Sequence, residues 1–245
     1  MKHLKGLGLM ALAAVVAMAI FGAGTASASE PKAEPEGGTF PVTFTGSGGT
    51  GVLEVTPESG KVRTVHCTGN TSSGEISSAN TAKNIKVDFS GCTTTGPFGN
   101  NWTCTTSGAT SGHIVTNLLH GTLVYLTAGS NSTGILLKPE SGTTFATFAC
   151  KGVLLSETMT VTGTVIGKLT PINTLTNSFT LTFSQKEGHQ EPSSYLSNTG
   201  CAATATQLLT TGSGAEAFGP RESGISGSET LTTSKKIKVN ATKCE

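Results

Sequence analysis

The chain has 245 residues, 16 basic and 15 acidic side chains, six cysteines and one tryptophan. A chain so close to neutrality, with no basic block, lacks the cation density that a phosphate backbone requires, so nucleic acid is excluded as a partner. Asp88 is the only aspartate. That scarcity excludes an aspartic dyad and an EF-hand calcium loop, both of which need several carboxylates close together.

The amino-terminal segment predicts export. Two lysines precede an apolar run over residues 7–21, and an A-x-A pattern ends at Ala28. This order is typical of a secretory signal, so we expect a signal peptide over residues 1–28. The rest of the chain contains no apolar run long enough to span a bilayer. We therefore expect a secreted or cell-surface protein without a membrane span after signal cleavage.

Residues 29–38 follow the signal and are rich in glutamate and proline. Pro31 and Pro35 stand among three glutamates, and such a composition is too polar to bury and disfavours strand pairing. We expect a flexible tether here. The folded part is predicted to begin near Thr39 and to form one domain over residues 39–245.

From Thr39 onward, apolar residues alternate with polar ones, mostly threonine, serine or lysine. This period of two is typical of antiparallel strands with one face in the core and one in water. The alternation is clearest at Phe40, Val42 and Phe44, at Ile85, Val87 and Phe89, at Met159, Val161 and Val165, at Leu175, Phe179, Leu181 and Phe183, and at Ile237, Val239 and Ala241.

Glycine clusters separate these segments, and no window after the signal shows a helical apolar stripe. We predict an all-β domain, an antiparallel β-sandwich of about ten or more short strands, with a closed or partly closed β-barrel as the alternative. Gly46, Gly48 and Gly51 satisfy G-x-G-x-x-G. Because a strand pattern follows them instead of a helix, we interpret them as a hairpin turn and predict no dinucleotide site.

An even number of cysteines in an exported chain predicts up to three disulfides, and six cysteines allow about 15 connectivities among which residue spacing does not choose. Turn residues between Cys92 and Cys104 favour a bond at the base of that loop. Cys67 and Cys150 share faces with apolar residues and are expected to meet across the core, which leaves Cys201 with Cys244. The chain has no C-x-x-C pair and no histidine spacing that completes a zinc site, so no metal and no cofactor are predicted.

No residue is assigned a catalytic role. His113 and His120 flank one predicted strand while the other candidate histidines are isolated, and glutamates such as Glu157 are interpreted as solvated surface residues. A hydrolase built around a histidine is kept as a low-ranking alternative. Trp102, expected in an exposed loop between two cysteines, is the one possible ligand contact, because sugars stack on exposed aromatic rings.

Several segments together resemble a family of uncharacterised secreted proteins from thermoleophilic soil actinobacteria. The resemblance implies export and a β fold, and it implies no activity. This chain departs from the family pattern at His113 and at Cys201 and Cys244. The segments are Cys67–Glu75, Val87–Cys92, Cys104–Asn117, Leu136–Cys150, Val161–Pro171 and Phe179–Pro192, with runs such as Phe89-Ser90-Gly91-Cys92 and Gln190-Glu191-Pro192.

The sequence favours a non-catalytic protein of the cell envelope or the extracellular space, structural or adhesive, because a threonine-rich, charge-poor, disulfide-bonded chain suits persistence outside the cell. A module that binds a small molecule or a glycan is the alternative, and a secreted hydrolase is the second alternative. The partner is unknown, with an extracellular glycan or protein as the expected class.

Overall fold

The computed structural model describes residues 30–56, 62–196 and 201–244, and the predicted signal peptide lies outside these residues. Within them the chain forms twenty strands and no helix. The strands are β1 (Lys32–Pro35), β2 (Val42–Gly48), β3 (Gly51–Val55), β4 (Arg63–Cys67), β5 (Gly69–Ile76), β6 (Thr81–Ser90), β7 (Thr93–Thr95), β8 (Asn101–Thr105), β9 (Ile114–Val115), β10 (Leu119–Tyr125), β11 (Thr133–Pro139), β12 (Thr144–Lys151), β13 (Ser156–Gly163), β14 (Val165–Thr170), β15 (Leu175–Lys186), β16 (His189–Glu191), β17 (Ser194–Leu196), β18 (Ala203–Ala205), β19 (Leu208–Gly214) and β20 (Phe218–Asn240).

Eight strands close into an antiparallel barrel. One ring of pairings runs through β2, β5, β6, β10, β11, β14, β15 and the second part of β20, which pairs again with β2. We call this ring the lower half. A second ring runs through β3, β4, β7, β8, β12, β13, β19 and the first part of β20, which pairs with β3. We call it the upper half.

The two halves belong to one barrel because most barrel strands pass from one into the other. β2 pairs with β20 up to Gly48 opposite Glu229, and β3 continues along the same strand with Val52 opposite Ser226. β4 leads in the same way into β5, β6 into β7, β11 into β12 and β13 into β14. Chain order is therefore also spatial order, as in an up-and-down barrel.

The all-β prediction is confirmed in the form of its alternative, a closed barrel, and not as a sandwich. The two architectures share the same local alternation of inward apolar and outward polar residues. They differ in whether the first and last strands pair, as β2 and β20 do here. Closure of this kind leaves the ring without free edges.

Most of the predicted core positions face inward and are buried, among them Val42, Phe44, Ile85, Val87, Met159, Val161, Phe179 and Leu181. Leu175, also predicted in the core, is 48% exposed. The register of β15 against β20 shifts between Thr176 and Ser178, so Leu175 does not follow the alternation of the rest of β15.

The seventh barrel strand is interrupted. β15 leaves the wall near Phe183, which pairs with Gly227, and β19 returns opposite Glu222. The side-chain amide of Gln190 lies beside β20 in the gap between β15 and β19. Its Oε1 accepts a hydrogen bond from N of Ile225 at 2.8 Å. Its Nε2 donates to O of Ile225 at 3.3 Å and to O of Ser184 at 2.6 Å. A buried side chain thus replaces a missing backbone partner.

The segment predicted as a flexible tether contains a paired strand, which corrects that prediction for residues 32–35. β1 pairs with the end of β20, from Lys32 opposite Asn240 to Pro35 opposite Ile237. Ala33 is buried, and its N donates to O of Ala79. Proline is compatible with this position because it stands at the end of a four-residue strand.

The prediction of a hairpin turn at Gly46, Gly48 and Gly51 is wrong. Gly46 and Gly48 lie inside β2 and Gly51 opens β3, and both strands run in one direction along β20. Gly46 and Gly48 mark a close approach of other side chains to the inner wall instead of a reversal of the chain.

The disulfides are Cys67–Cys92, Cys104–Cys150 and Cys201–Cys244. The third pairing was predicted, while the predicted Cys92–Cys104 and Cys67–Cys150 bonds are wrong. Cys67, Cys92, Cys104 and Cys150 lie side by side on successive barrel strands, and the Cα atoms of the bonded pairs are 4.0 and 3.9 Å apart.

Strand pairing explains this choice of partners. N of Cys104 donates to O of Cys92 at 2.9 Å, so these two residues stand at a hydrogen-bonded position of the ladder, although N of Cys92 donates to O of Gly112 instead. Side chains lie closer in the alternating non-hydrogen-bonded pairs, where opposite Cα atoms are about 4.5 Å apart instead of about 5.5 Å. Each sulfur therefore bonds to the neighbour on its other side.

Candidate ligand-binding cavity

The lower half of the barrel is hollow. It encloses a cavity of about 180 Å³ lined almost entirely by apolar side chains. The lining comes from every strand of the lower ring, with side chains such as Phe44, Ile85, Leu119, Leu137, Leu169, Phe179 and Leu231, and from the adjoining parts of β3, β4, β12, β13 and β19. Eight-stranded barrels have an interior just wide enough to be filled by side chains or to hold one small ligand. Here part of that interior is unfilled.

The volume limits the size of a ligand. A dry cavity of about 150 Å³ lined by Leu, Ile and Phe binds benzene or xenon. The cavity in this barrel is of similar size and similar lining. It therefore fits an apolar molecule with about the bulk of one aromatic ring, and it offers apolar surface that water covers poorly.

Glu229 is the only titratable side chain among the lining residues, since Cys67 is bonded in a disulfide. It projects from β20 into the interior and is 7% exposed. Its Oε2 accepts hydrogen bonds from Nδ2 of Asn70 at 2.8 Å and from Oγ of Ser72 at 3.0 Å. Among the described residues, no group donates to Oε1. One carboxyl oxygen is thus held by β5 while the other is without a protein partner.

Glycines in β2 make this arrangement possible. Gly48 lies directly between Glu229 and Asn70 in the ladder, and Gly46 is opposite Ser72. A Cβ atom at Gly46 would lie 2.8 Å from Oε2 of Glu229, and one at Gly48 would collide with the amide of Asn70. Because β2 presents no side chains here, the Glu229 side chain reaches across it to the next strand.

The environment of Glu229 changes its acidity. Burial raises the pKa of the Glu229 carboxyl above its ordinary value, and the hydrogen bonds from Ser72 and Asn70 oppose part of that rise. Burial is the largest of these effects because water is replaced by apolar walls. A donor brought to Oε1 by a ligand would stabilise the charged form further.

Most of the upper half of the barrel is filled, although Cys67 and several other residues of its strands reach the cavity. Trp102, the four inward cysteines and Met159 occupy the filled part. Arg63 and Glu157 form a buried ion pair there, with Nη2 of Arg63 2.7 Å from Oε2 of Glu157, and Arg63 also contacts Glu216. Burial raises the pKa of Glu157, the charge of Arg63 lowers it, and the charge of Glu216 adds to the rise.

Two predictions about residues in the upper half are corrected. Trp102 was expected in an exposed loop as a ligand contact, yet it lies in β8, is 1% exposed and does not line the cavity. Its ring packs against Gly96 and Gly152, where a Cβ atom would collide with the indole, and Nε1 donates to Oδ1 of Asn100. Glu157, expected on the surface, is 1% exposed because it faces Arg63.

The histidines do not converge. Nδ1 of His113 lies 2.9 Å from Oδ1 of Asp88, so the fold brings together two residues that the sequence analysis considered. Both side chains are partly exposed on the barrel wall. His189 contacts Glu222, far from this pair in the fold. His120 lies in β10, opposite Lys138 of β11. Burial lowers the pKa of His120, and the positive charge of Lys138 lowers it further by a smaller amount. Within the described ranges, no three His, Cys, Asp or Glu side chains are grouped as a metal site.

The residues around Glu229 were missed by reasoning from the sequence. A signal for them was present: Glu229 and Leu231 share the parity of an inward face, and Gly46 and Gly48 continue the inward series that begins at Phe44. An inward glutamate next to a strand whose inward positions are glycine indicates a polar side chain that extends across that strand. Their proximity depends on barrel closure, which local patterns do not specify.

Comparison of the chain with family models, with curated proteins and with solved structures finds no match in any of the three. No helix in the described part of the chain is long and apolar enough to cross a membrane. The three disulfides are typical of proteins that fold in an oxidising compartment.

Proposed function

We propose that this is an exported, non-catalytic binding protein whose barrel holds one small apolar molecule. The observation that carries the proposal is the apolar cavity of about 180 Å³ in the lower half. Protein interiors are normally close-packed, and an unfilled apolar space of this size costs stability because its lining loses contacts. A ligand that fills it recovers those contacts.

The test is a titration of the purified protein with toluene, followed by backbone and methyl NMR shifts and by the melting temperature. We expect shifts at methyl groups of the lining, such as those of Leu119, Leu137 and Leu231, and a melting temperature that rises with toluene concentration. Shifts confined to surface residues would contradict the proposal.

Two matched variants sharpen this test. Ala146 lines the cavity, while Thr147, the next residue of β12, is exposed on the outer face. Ala146→Phe fills part of the space and is expected to abolish toluene binding, whereas Thr147→Phe adds the same ring outside and is expected to leave it unchanged. Equal toluene affinity in both variants would show that toluene binds elsewhere.

A structural or adhesive role is a second candidate, favoured by apolar hairpin tips. Phe98, between β7 and β8, is 83% exposed, and Val153 and Leu154, between β12 and β13, are 93% and 92% exposed. Their hairpins are adjacent because β8 pairs with β12. Exposed apolar clusters mark interaction surfaces. Replacing all three with serine is expected to weaken adsorption to isolated cell envelopes while leaving toluene binding intact.

Export by the predicted signal peptide is part of the proposal. The disulfides support it, since such bonds persist outside the reducing cytosol. The resemblance to secreted actinobacterial proteins stays a prediction. Mass spectrometry of the protein from the culture medium is expected to find a chain that begins at Ser29, and an intact chain retained in the cytosol would contradict export.

A further inference from the structure

Glu229 gives the cavity a chemical preference, and the inference drawn from it rests on the proposed function. We infer that the barrel selects ring-sized apolar molecules that carry a hydrogen-bond donor, a hydroxyl or a protonated amine, and that this donor binds Oε1 of Glu229. The site is built: Glu229 is 7% exposed, one of its carboxyl oxygens is fixed by Asn70 and Ser72, and β2 is kept bare by Gly46 and Gly48.

The free oxygen explains the preference. Oε1 accepts no hydrogen bond from a described residue, so a donor on the ligand adds a hydrogen bond to a charged group there, and such bonds are stronger than those between neutral groups. The two groups that already hold Oε2, an amide N–H and a hydroxyl, are both donors, so the carboxylate of Glu229 acts as an acceptor and its other oxygen favours a donor on the ligand. A ligand carboxylate would place like charges together in an apolar space and is expected to be excluded.

The lining supplies no competing polar selection. Apart from Glu229, the polar groups at the cavity wall are neutral hydroxyls and amides, and the remaining lining is apolar. A ligand therefore orients with its donor toward β20 and β5 and its ring toward the phenylalanine and leucine side chains of the lower half. One ring bearing one short donor group fits both the volume and the polarity.

Four probes of one shape test this preference by calorimetry: toluene, benzyl alcohol, benzylamine and benzoate. Benzyl alcohol and benzylamine are both expected to bind about tenfold or more tightly than toluene, in line with hydrogen bonds to charged groups, and benzoate is expected not to bind. The comparison of the alcohol with the amine distinguishes a neutral donor from a cationic one.

Glu229→Gln should abolish the tenfold advantage of benzylamine, because its ammonium group loses the charge that pairs with it, and should leave toluene affinity within about twofold. Glu54→Gln is the matched control. Glu54 belongs to β3, does not line the cavity and accepts from Nε2 of Gln185, so this variant should retain wild-type affinity for all four probes.

The outcomes separate the two proposals. Toluene that binds with the same affinity as benzyl alcohol and benzylamine overturns the role of Glu229 and leaves the binding function standing. Failure of all four probes to bind overturns the binding function itself. Toluene binding by Glu229→Gln serves as the folding control, since a variant with a collapsed barrel would bind none of the probes.

Discussion

The side-chain amide of Gln190 hydrogen-bonds both backbone groups of Ile225, N to Oε1 at 2.8 Å and Nε2 to O at 3.3 Å. Gln190 is 5% exposed, so its replacement leaves buried backbone groups without partners. We expect Gln190→Ala to lower the free energy of unfolding by about 2–4 kcal/mol, measured in urea.

Gln207→Ala is the control for that variant. Its amide donates to Oε1 of Glu222 in an exposed contact, so its loss is expected to change stability by no more than about 0.5 kcal/mol. Equal stability of the Gln190 and Gln207 variants would show that the interrupted strand needs no side-chain partner.

The cysteine pairs predict a specific peptide map. Non-reducing digestion should yield Cys67 linked to Cys92, Cys104 to Cys150 and Cys201 to Cys244. Replacing Cys104 and Cys150 with alanine opens a loop of 46 residues, for which chain entropy predicts a loss of up to about 4 kcal/mol. A peptide that joins Cys92 to Cys104 would contradict the pairing of Cys92 with Cys67 and of Cys104 with Cys150.

Removing one partner of the buried pair of Arg63 and Glu157 should lower the free energy of unfolding strongly, whereas replacing both with apolar residues should lower it little. Arg63→Met leaves Glu157 buried beside Glu216 without a cation, and we expect a loss of about 3–5 kcal/mol at neutral pH. The loss should shrink in acid, where Glu157 binds a proton. The double variant with Glu157→Met as well should recover much of the stability, and a double variant no more stable than Arg63→Met would contradict this account.

The raised pKa of Glu229 predicts how stability depends on pH. Because burial raises this pKa in the folded state, the folded protein binds more protons than the unfolded chain between the ordinary value of 4.5 and the raised value. The contribution of Glu229 to the free energy of unfolding therefore falls as pH rises through that window.

Glu229→Gln removes this contribution. The variant should gain stability relative to the wild type as pH rises above about 4.5, and the gain should level off above the folded pKa. Melting temperatures of both proteins between about pH 3 and pH 8 measure it. A relative stability of the variant that declines with increasing pH would contradict the burial of Glu229.

Local alternation predicted the strands at Phe44, Val87 and Phe179 because the inward face of a barrel strand and of a sandwich strand have the same period. Closure was only an alternative, since the pairing of β2 with β20 joins residues almost 190 positions apart. The partners of Cys92 depend on which ladder positions are hydrogen-bonded, which the spacing of the cysteines along the chain does not specify. The site at Glu229 depends on both closure and register, so composition and spacing could not locate it.

The central claim, that the lower half of the barrel is an accessible apolar site, is tested most directly by diffraction from crystals of the protein pressurised with xenon. Xenon occupies apolar cavities of this size without needing any particular functional group. We predict a strong xenon peak inside the lower half, in contact with side chains such as Phe44, Leu119 and Phe179. A barrel interior filled by side chains, or xenon found only at the surface, would contradict the account.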